Sequence, residues 1–138
     1  MFVSDTSDGN GYLFYSQTLT SGWVEHPMSP VIRNDPSKGR GGGRSFVFDG
    51  GRIIRVVQKC DVSYGEEVRA FEVDRLSETD YSEHELSESP LLKASGTGWN
   101  ANGMHQFDPW WTGSQWLISA DGIDSGGGYS IGIYVVVP

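Results

Sequence analysis

The chain has 138 residues, in which 18 acidic side chains against 10 basic ones leave a net charge of −8. So acidic a surface is a poor match for a phosphate backbone or an anionic lipid surface, which excludes nucleic acid and membranes as expected partners. The length predicts one domain, residues 1–138, and the single cysteine, Cys60, excludes an intrachain disulfide as a source of stability.

Residues 1–5 lack the basic start of a secretion signal, and no apolar run approaches the roughly 20 residues that span a bilayer, so a cytoplasmic location is expected. Strands then follow one another along the whole chain. Residues 11–18 and 21–26 read as strands, the second stopped by Pro27 and Pro30, which have no N–H to donate to a ladder. Residues 34–43 read as a loop. Residues 45–48 and 52–58 form a hairpin around Asp49-Gly50-Gly51, whose glycines tolerate the positive φ of a tight turn. Residues 68–73 make the next strand, and 81–86, short and charged, suits an outer fourth strand that should not recruit another sheet. Residues 104–108 and 115–120 make a further hairpin, and 131–137 is a strongly β-forming run.

The hairpins repeat. Asp8-Gly9-Asn10-Gly11, Asp49-Gly50-Gly51 and Thr112-Gly113-Ser114 each open into an apolar or aromatic run. Taking Tyr12, Ile53 and Trp116 as equivalent gives spacings of 41 and 63 residues. The first is close to the roughly 40–50 residues of a four-stranded propeller blade. The second is lengthened by a polar insertion at about 76–100. The predicted fold is therefore all-β, with about two and a half antiparallel propeller-like blades in units near 1–33, 43–90 and 103–138. That is too few blades to close a ring, and a homo-oligomer, most simply a dimer, is the expected way of covering the open faces.

Particular residues carry a family resemblance. Trp23-Val24-Glu25-His26-Pro27-Met28-Ser29-Pro30-Val31, Gly43-Arg44, Arg55-Val56-Val57-Gln58-Lys59-Cys60, Tyr64-Gly65 and Gly103-Met104-His105 resemble the propeller-type N-terminal domain of glucosamine inositolphosphorylceramide transferase-like proteins. That domain is similar in turn to the five-bladed propellers of arabinanases and xylosidases. The resemblance runs over about residues 12–121 and corresponds to the later half of such a domain, with Gly41-Gly42 where the pattern has Pro-Ala. It implies a mouth at which loops from several blades converge on a sugar-like ligand.

The side chains expected at that mouth are Arg40, Arg44, Gln58, Tyr64 and His105. Arginine offers a planar fork to phosphate or carboxylate, Gln and His bond directionally to hydroxyls, and a Tyr ring gives a sugar a face to stack on. Together they point to a carbohydrate or sugar phosphate ligand. His105 equally suits a strand histidine bonded to backbone. Arg55, inside an apolar run, is expected to be buried in an ion pair. Of Trp110 and Trp111, one is expected to pack and one to stay partly exposed, and Trp116 is assigned to the core.

Neither Asp8-Gly9-Asn10-Gly11 nor Asp121-Gly122-Ile123-Asp124 has the alternating oxygen ligands of a calcium loop, and the histidines lack zinc spacing. No metal and no cofactor are expected. Glycoside hydrolysis needs two carboxyl groups, for which Asp108, Asp121 and Glu66 are the candidates, although each also suits a solvated turn or strand end. Three functions follow. The first is a non-catalytic β-propeller-like module that binds a carbohydrate or sugar phosphate. The second is a glycosidase-like or glycosyl-transfer enzyme using paired carboxylates, and the third a structural or interaction protein derived from a truncated propeller.

Overall fold

A computed structural model describes residues 1–5 and 9–138, so Asp8 of the first predicted turn lies outside the described residues. Among the described residues, three antiparallel sheets make up the fold. The first holds β1 (Phe2–Asp5), β2 (Asn10–Tyr15) and β3 (Val24–Glu25), in that order. The second holds β4 (Arg40–Gly41), β5 (Phe46–Phe48), β6 (Arg52–Lys59), β7 (Glu67–Leu76), β8 (Tyr81–Glu85) and β9 (Leu92–Lys93). The third holds β10 (Phe107–Trp111), β11 (Trp116–Ile123) and β12 (Tyr129–Val136).

The six strands of the second sheet occupy four positions. β4 and β5 pair with opposite ends of β6 along one edge, while β8 and β9 pair with opposite ends of β7. This is the four-stranded blade expected from the repeat. Tyr12, Ile53 and Trp116 all fall within the first three residues of β2, β6 and β11, each the second strand position of its sheet. The first strands of the three sheets adjoin. Gly41 N donates to Ser4 Oγ at 2.8 Å, and Phe107 N donates to Gly42 O at 2.7 Å. A Cβ at Gly43 would overlap Phe107 O, so only glycine permits this close approach.

The second sheet lies between the other two, which explains why β6 is buried continuously from Ile54 to Gln58 rather than on alternate residues. On one side Ile54, Val56, Val68 and Ala70 form a buried cluster against Phe46, Leu86, Leu91 and Phe107. On the other, Val73 and Tyr81 pack with Leu13, Phe2 and Val31. Arg55 is 5% exposed and binds Glu83 through both Nε, at 2.7 Å, and Nη2, at 2.6 Å. Burial opposes its charge, but the Glu83 carboxylate outweighs that and holds the guanidinium above its ordinary value. The expected buried ion pair is present.

Local chemistry shifted several predicted boundaries. β2 ends at Tyr15 because the Ser16 and Thr18 hydroxyls both bond to Ser21 O, at 2.5 and 2.9 Å, and turn the chain early. β10 begins at Phe107 rather than 104, since the backbone of His105 and Gln106 donates to a side chain instead of a strand. Within 34–43, read as loop, Arg40 and Gly41 extend the ladder of β6. β1 was not foreseen from sequence; Phe2 anchors it edge-on against Tyr81, with ring centroids 5.7 Å apart. Trp111 packs on Trp116 at 5.3 Å, yet both Trp110 and Trp111 remain more than 40% exposed, so neither is fully packed.

Candidate functional site

The loop between β6 and β7, the segment before β10 and the start of β12 meet around His105. His105 is 7% exposed, and its ring stands between Tyr64, edge-on with centroids 5.0 Å apart, and Tyr129, at 5.7 Å. Arg40 places its guanidinium carbon 5.0 Å from the Tyr64 centroid, a cation–π contact. Gly65 adopts φ +69°, and a Cβ there would press on His105 Cβ and Cδ2 at 3.0 Å, so the turn that delivers Tyr64 requires glycine.

Asp121 fixes His105 from β11. Its Oδ1 accepts from His105 N at 2.9 Å and Gln106 N at 2.8 Å, while Oδ2 faces His105 Nδ1. Bonded to both amides, the carboxylate fixes the backbone that carries the His105 ring.

The remaining sequence candidates are distributed differently. Gln58 lies opposite Arg40 in the ladder, but it is 2% exposed and its amide is turned inward, donating to Gly41 O at 3.0 Å and accepting from the Cys60 thiol at 3.3 Å. Arg44 forms a second cluster, gripping Asp108 through Nε and through Nη2, the latter at 2.7 Å, and stacking 5.2 Å from the Trp110 ring. The Arg44 hydrogen bonds hold the Asp108 carboxyl below its ordinary range. Glu66 is ion-paired with Lys59 at 2.9 Å.

Register connects the two clusters. Asp108 opposes Ser119 and Asp121 opposes Ile131, so Asp108, Ser119 and Asp121 share one face of the third sheet. Asp108 and Asp121 are diagonal neighbours there, roughly 7–8 Å apart by sheet geometry. An open cleft of about 640 Å³ lies on this face, lined by Gln106, Ser119, Asp121, Tyr129, Ser130 and Ile131. Sequence reading missed Tyr129 because only the β11–β12 register, not any local motif, brings it to the face of Asp121.

A second cavity of about 350 Å³ lies between the second and third sheets; apart from Arg52 and Glu88 its walls are apolar. Among the described residues, no three His, Cys, Asp or Glu side chains gather as metal ligands, and no helix is long and apolar enough to cross a membrane.

Comparison with known proteins agrees with this architecture. The family profile described as glucosamine inositolphosphorylceramide transferase 1, N-terminal, matches residues 2–124. The transferase 1 of Oryza sativa subsp. japonica is 31% identical over 113 residues, covering 80% of this chain and 15% of the relative. That of Arabidopsis thaliana is 35% identical over 105 residues, covering 73% and 13%. The chain thus spans about one seventh of the length of these relatives. Among solved structures, that of RS223 β-xylosidase superposes with a TM-score of 0.51 at 10% identity, covering 72% of this chain and 33% of that one, a likeness of fold alone. Repeat, sheet topology and sequence agree: the chain belongs to the family of glucosamine inositolphosphorylceramide transferase 1 N-terminal domains.

Proposed function

We propose that the chain is a non-catalytic module that binds a saccharide or sugar phosphate in the cleft beside His105. The observation that carries this reading is the convergence of Arg40, Tyr64, His105 and Tyr129 from four separate segments, with Tyr64 and Tyr129 left 51% and 61% exposed. Exposed tyrosine faces suit the apolar side of a sugar ring, and Arg40 suits a phosphate or carboxylate beside it. Ser119 and Gln106 supply hydroxyl and amide partners in a cleft of ligand size. The family relatives are named for a transferase of glucosamine and an inositolphosphorylceramide, so hexosamines and inositol phosphates are the first ligands to try.

A second reading, a glycosidase-like or glycosyl-transfer enzyme, draws on the diagonal placement of Asp108 and Asp121 on one face, a spacing compatible with paired carboxyl groups. It is the weaker one. Asp108 is committed to Arg44 and held below its ordinary range, the opposite of a proton donor, and Asp121 is committed to two backbone amides and His105. Neither carboxyl has the environment of a general acid.

Calorimetric titration with glucosamine, N-acetylglucosamine and myo-inositol 1-phosphate tests the binding reading. Saturable binding is expected to at least one, weakened about tenfold or more in Arg40→Ala and Tyr129→Ala. Absence of binding at about 10 mM ligand, or variants that bind like the parent, would remove it. Turnover of nitrophenyl glycosides that disappears in Asp121→Asn would install the enzyme reading in its place.

A further inference from the structure

The cavity of about 350 Å³ between the second and third sheets plays no part in the cleft at His105. Strand periodicity puts the two on opposite faces of the third sheet, since Pro109 and Ile118, which line the cavity, alternate with Asp108 and Ser119. The shape of the cavity follows from how the sheets meet. Phe107 N joins them by donating to Gly42 O at 2.7 Å, while Phe46 and Phe48 stand against Trp116 with ring centroids 5.8 and 5.9 Å apart. Propped by these rings, Ile54, Leu86 and Leu91 on one side and Pro109, Ile118 and Val136 on the other enclose a slot without filling it. Phe48 is 41% exposed and Val136 47%, so the slot is open to solvent.

We infer that this slot binds a small apolar amine, its hydrocarbon body between the sheets and its ammonium group at Glu88. The walls select the body. Voids larger than a water molecule are rare in packed proteins, and this one exceeds the roughly 150 Å³ at which an apolar cavity already admits a benzene ring. Its volume lies in the range of small-molecule sites. Water there needs two to four polar partners, which walls of Ile, Leu, Pro, Phe and Trp do not offer, so an apolar body displaces it at little cost.

Charge at the opening selects the head. Two charged side chains line the slot, Arg52 and Glu88. The Arg52 fork is already closed on Glu72, with Nε at 3.0 Å and Nη2 at 2.6 Å, so it has no pair of donors to turn toward a carboxylate or phosphate. Glu88 accepts from the Ser87 hydroxyl at 2.9 Å and is ion-paired with no cation among the described residues. Asp49 also acts on Arg52, so three carboxylates surround one guanidinium at this end. An anionic head is repelled there and an uncharged one leaves Glu88 unmatched. An ammonium group gains a charge-assisted hydrogen bond where the apolar walls end.

Three probes that share one body and differ in the head, phenylbutylamine, phenylbutanol and phenylbutyrate, test this by calorimetry, with tryptophan emission as a second readout because Trp116 lines the slot. The amine should saturate the intact chain with a dissociation constant below about 1 mM, about tenfold or more tighter than the alcohol, with the carboxylate weakest. Glu88→Gln should bring the amine to the level of the alcohol. Glu78→Gln removes the same charge from the β7–β8 turn, where Glu78 accepts from Gln17, and should leave the preference intact, which separates the slot from general attraction to a chain of charge −8. Ile118→Phe, which fills the slot, should weaken all three probes about tenfold or more with unchanged circular dichroism, and Leu91→Phe replaces it if that variant does not fold. No binding of the amine at about 10 mM, an alcohol that binds as tightly, or a preference that survives Glu88→Gln or disappears equally in Glu78→Gln would overturn the inference. So would a filled slot that binds like the parent. None of these outcomes bears on the cleft at His105, which lies on the other face of the sheet.

Discussion

Replacing Glu83 by glutamine isolates one buried charge. Arg55 and Glu83 retain only 6% and 8% of their side-chain exposure, and Glu83 also accepts from the Tyr81 hydroxyl at 2.5 Å. Burial first, and the adjacent carboxylate second, push the Tyr81 phenol well above its ordinary range, so it remains a neutral donor. Arg55 donates besides to Lys38 O at 3.2 Å and lies over Phe2 and Phe71, so one guanidinium ties the first sheet, the second sheet and the segment leading into β4. Glu83→Gln leaves that cation dry and uncompensated, a change that costs about 3–5 kcal/mol in comparable buried pairs. Against a domain stability of about 5–15 kcal/mol this is a large fraction. At about 4 °C per kcal/mol for a chain of this size, the melting midpoint should fall by about 12–20 °C. Urea unfolding followed by tryptophan fluorescence reads the difference directly. The double variant Arg55→Met/Glu83→Leu removes both charges and should cost within about 1–2 kcal/mol of the parent. A loss below about 1 kcal/mol in Glu83→Gln, or a double variant as damaged as the single one, would refute the claim that an unpaired buried cation is what costs stability.

Two further outcomes concern pH and the glycine turn. Hydrogen bonds from Arg52, Arg69 and Arg44 hold Glu72, Glu85 and Asp108 below their ordinary values of 4.5, 4.5 and 3.8. The unfolded chain therefore binds protons first as pH falls. The stability these groups contribute is complete above about pH 4.5 and is lost as pH drops through their depressed values. The urea midpoint should be steady from about pH 7 to 5 and decline below about 4.5, with a shallower decline in Glu85→Gln; an unchanged midpoint at about pH 3 contradicts this. Gly65→Ala forces a side chain into φ +69° and against His105, and should cost about 1–2 kcal/mol while moving the His105 ring signals in NMR spectra. Unaltered stability and spectra would mean the turn does not position that ring.

The hairpins and their order were legible because each rests on local chemistry. Gly50 and Gly51 accept positive φ, and the β-branched residues between Arg52 and Lys59 favour an extended strand. Even the buried role of Arg55 follows from one cation inside an apolar stretch. The site was only partly legible. Arg40, Tyr64 and His105 do meet, but Gln58 turns inward because its amide bonds Gly41 O, and Arg44 belongs to Asp108 and Trp110. No residue near Asp121 in sequence signals Tyr129.

Composition, turn residues and periodicity therefore determined by themselves that this chain forms repeated antiparallel hairpins in blade-like units, since those preferences act within a few residues. Which polar side chains share a cleft, and which apolar face of the third sheet stays uncovered, was decided only in three dimensions. Cross-strand register and the packing of the second sheet between its neighbours link residues tens of positions apart, and a single-residue shift in pairing would have turned Asp121 and Ile133 to the opposite face.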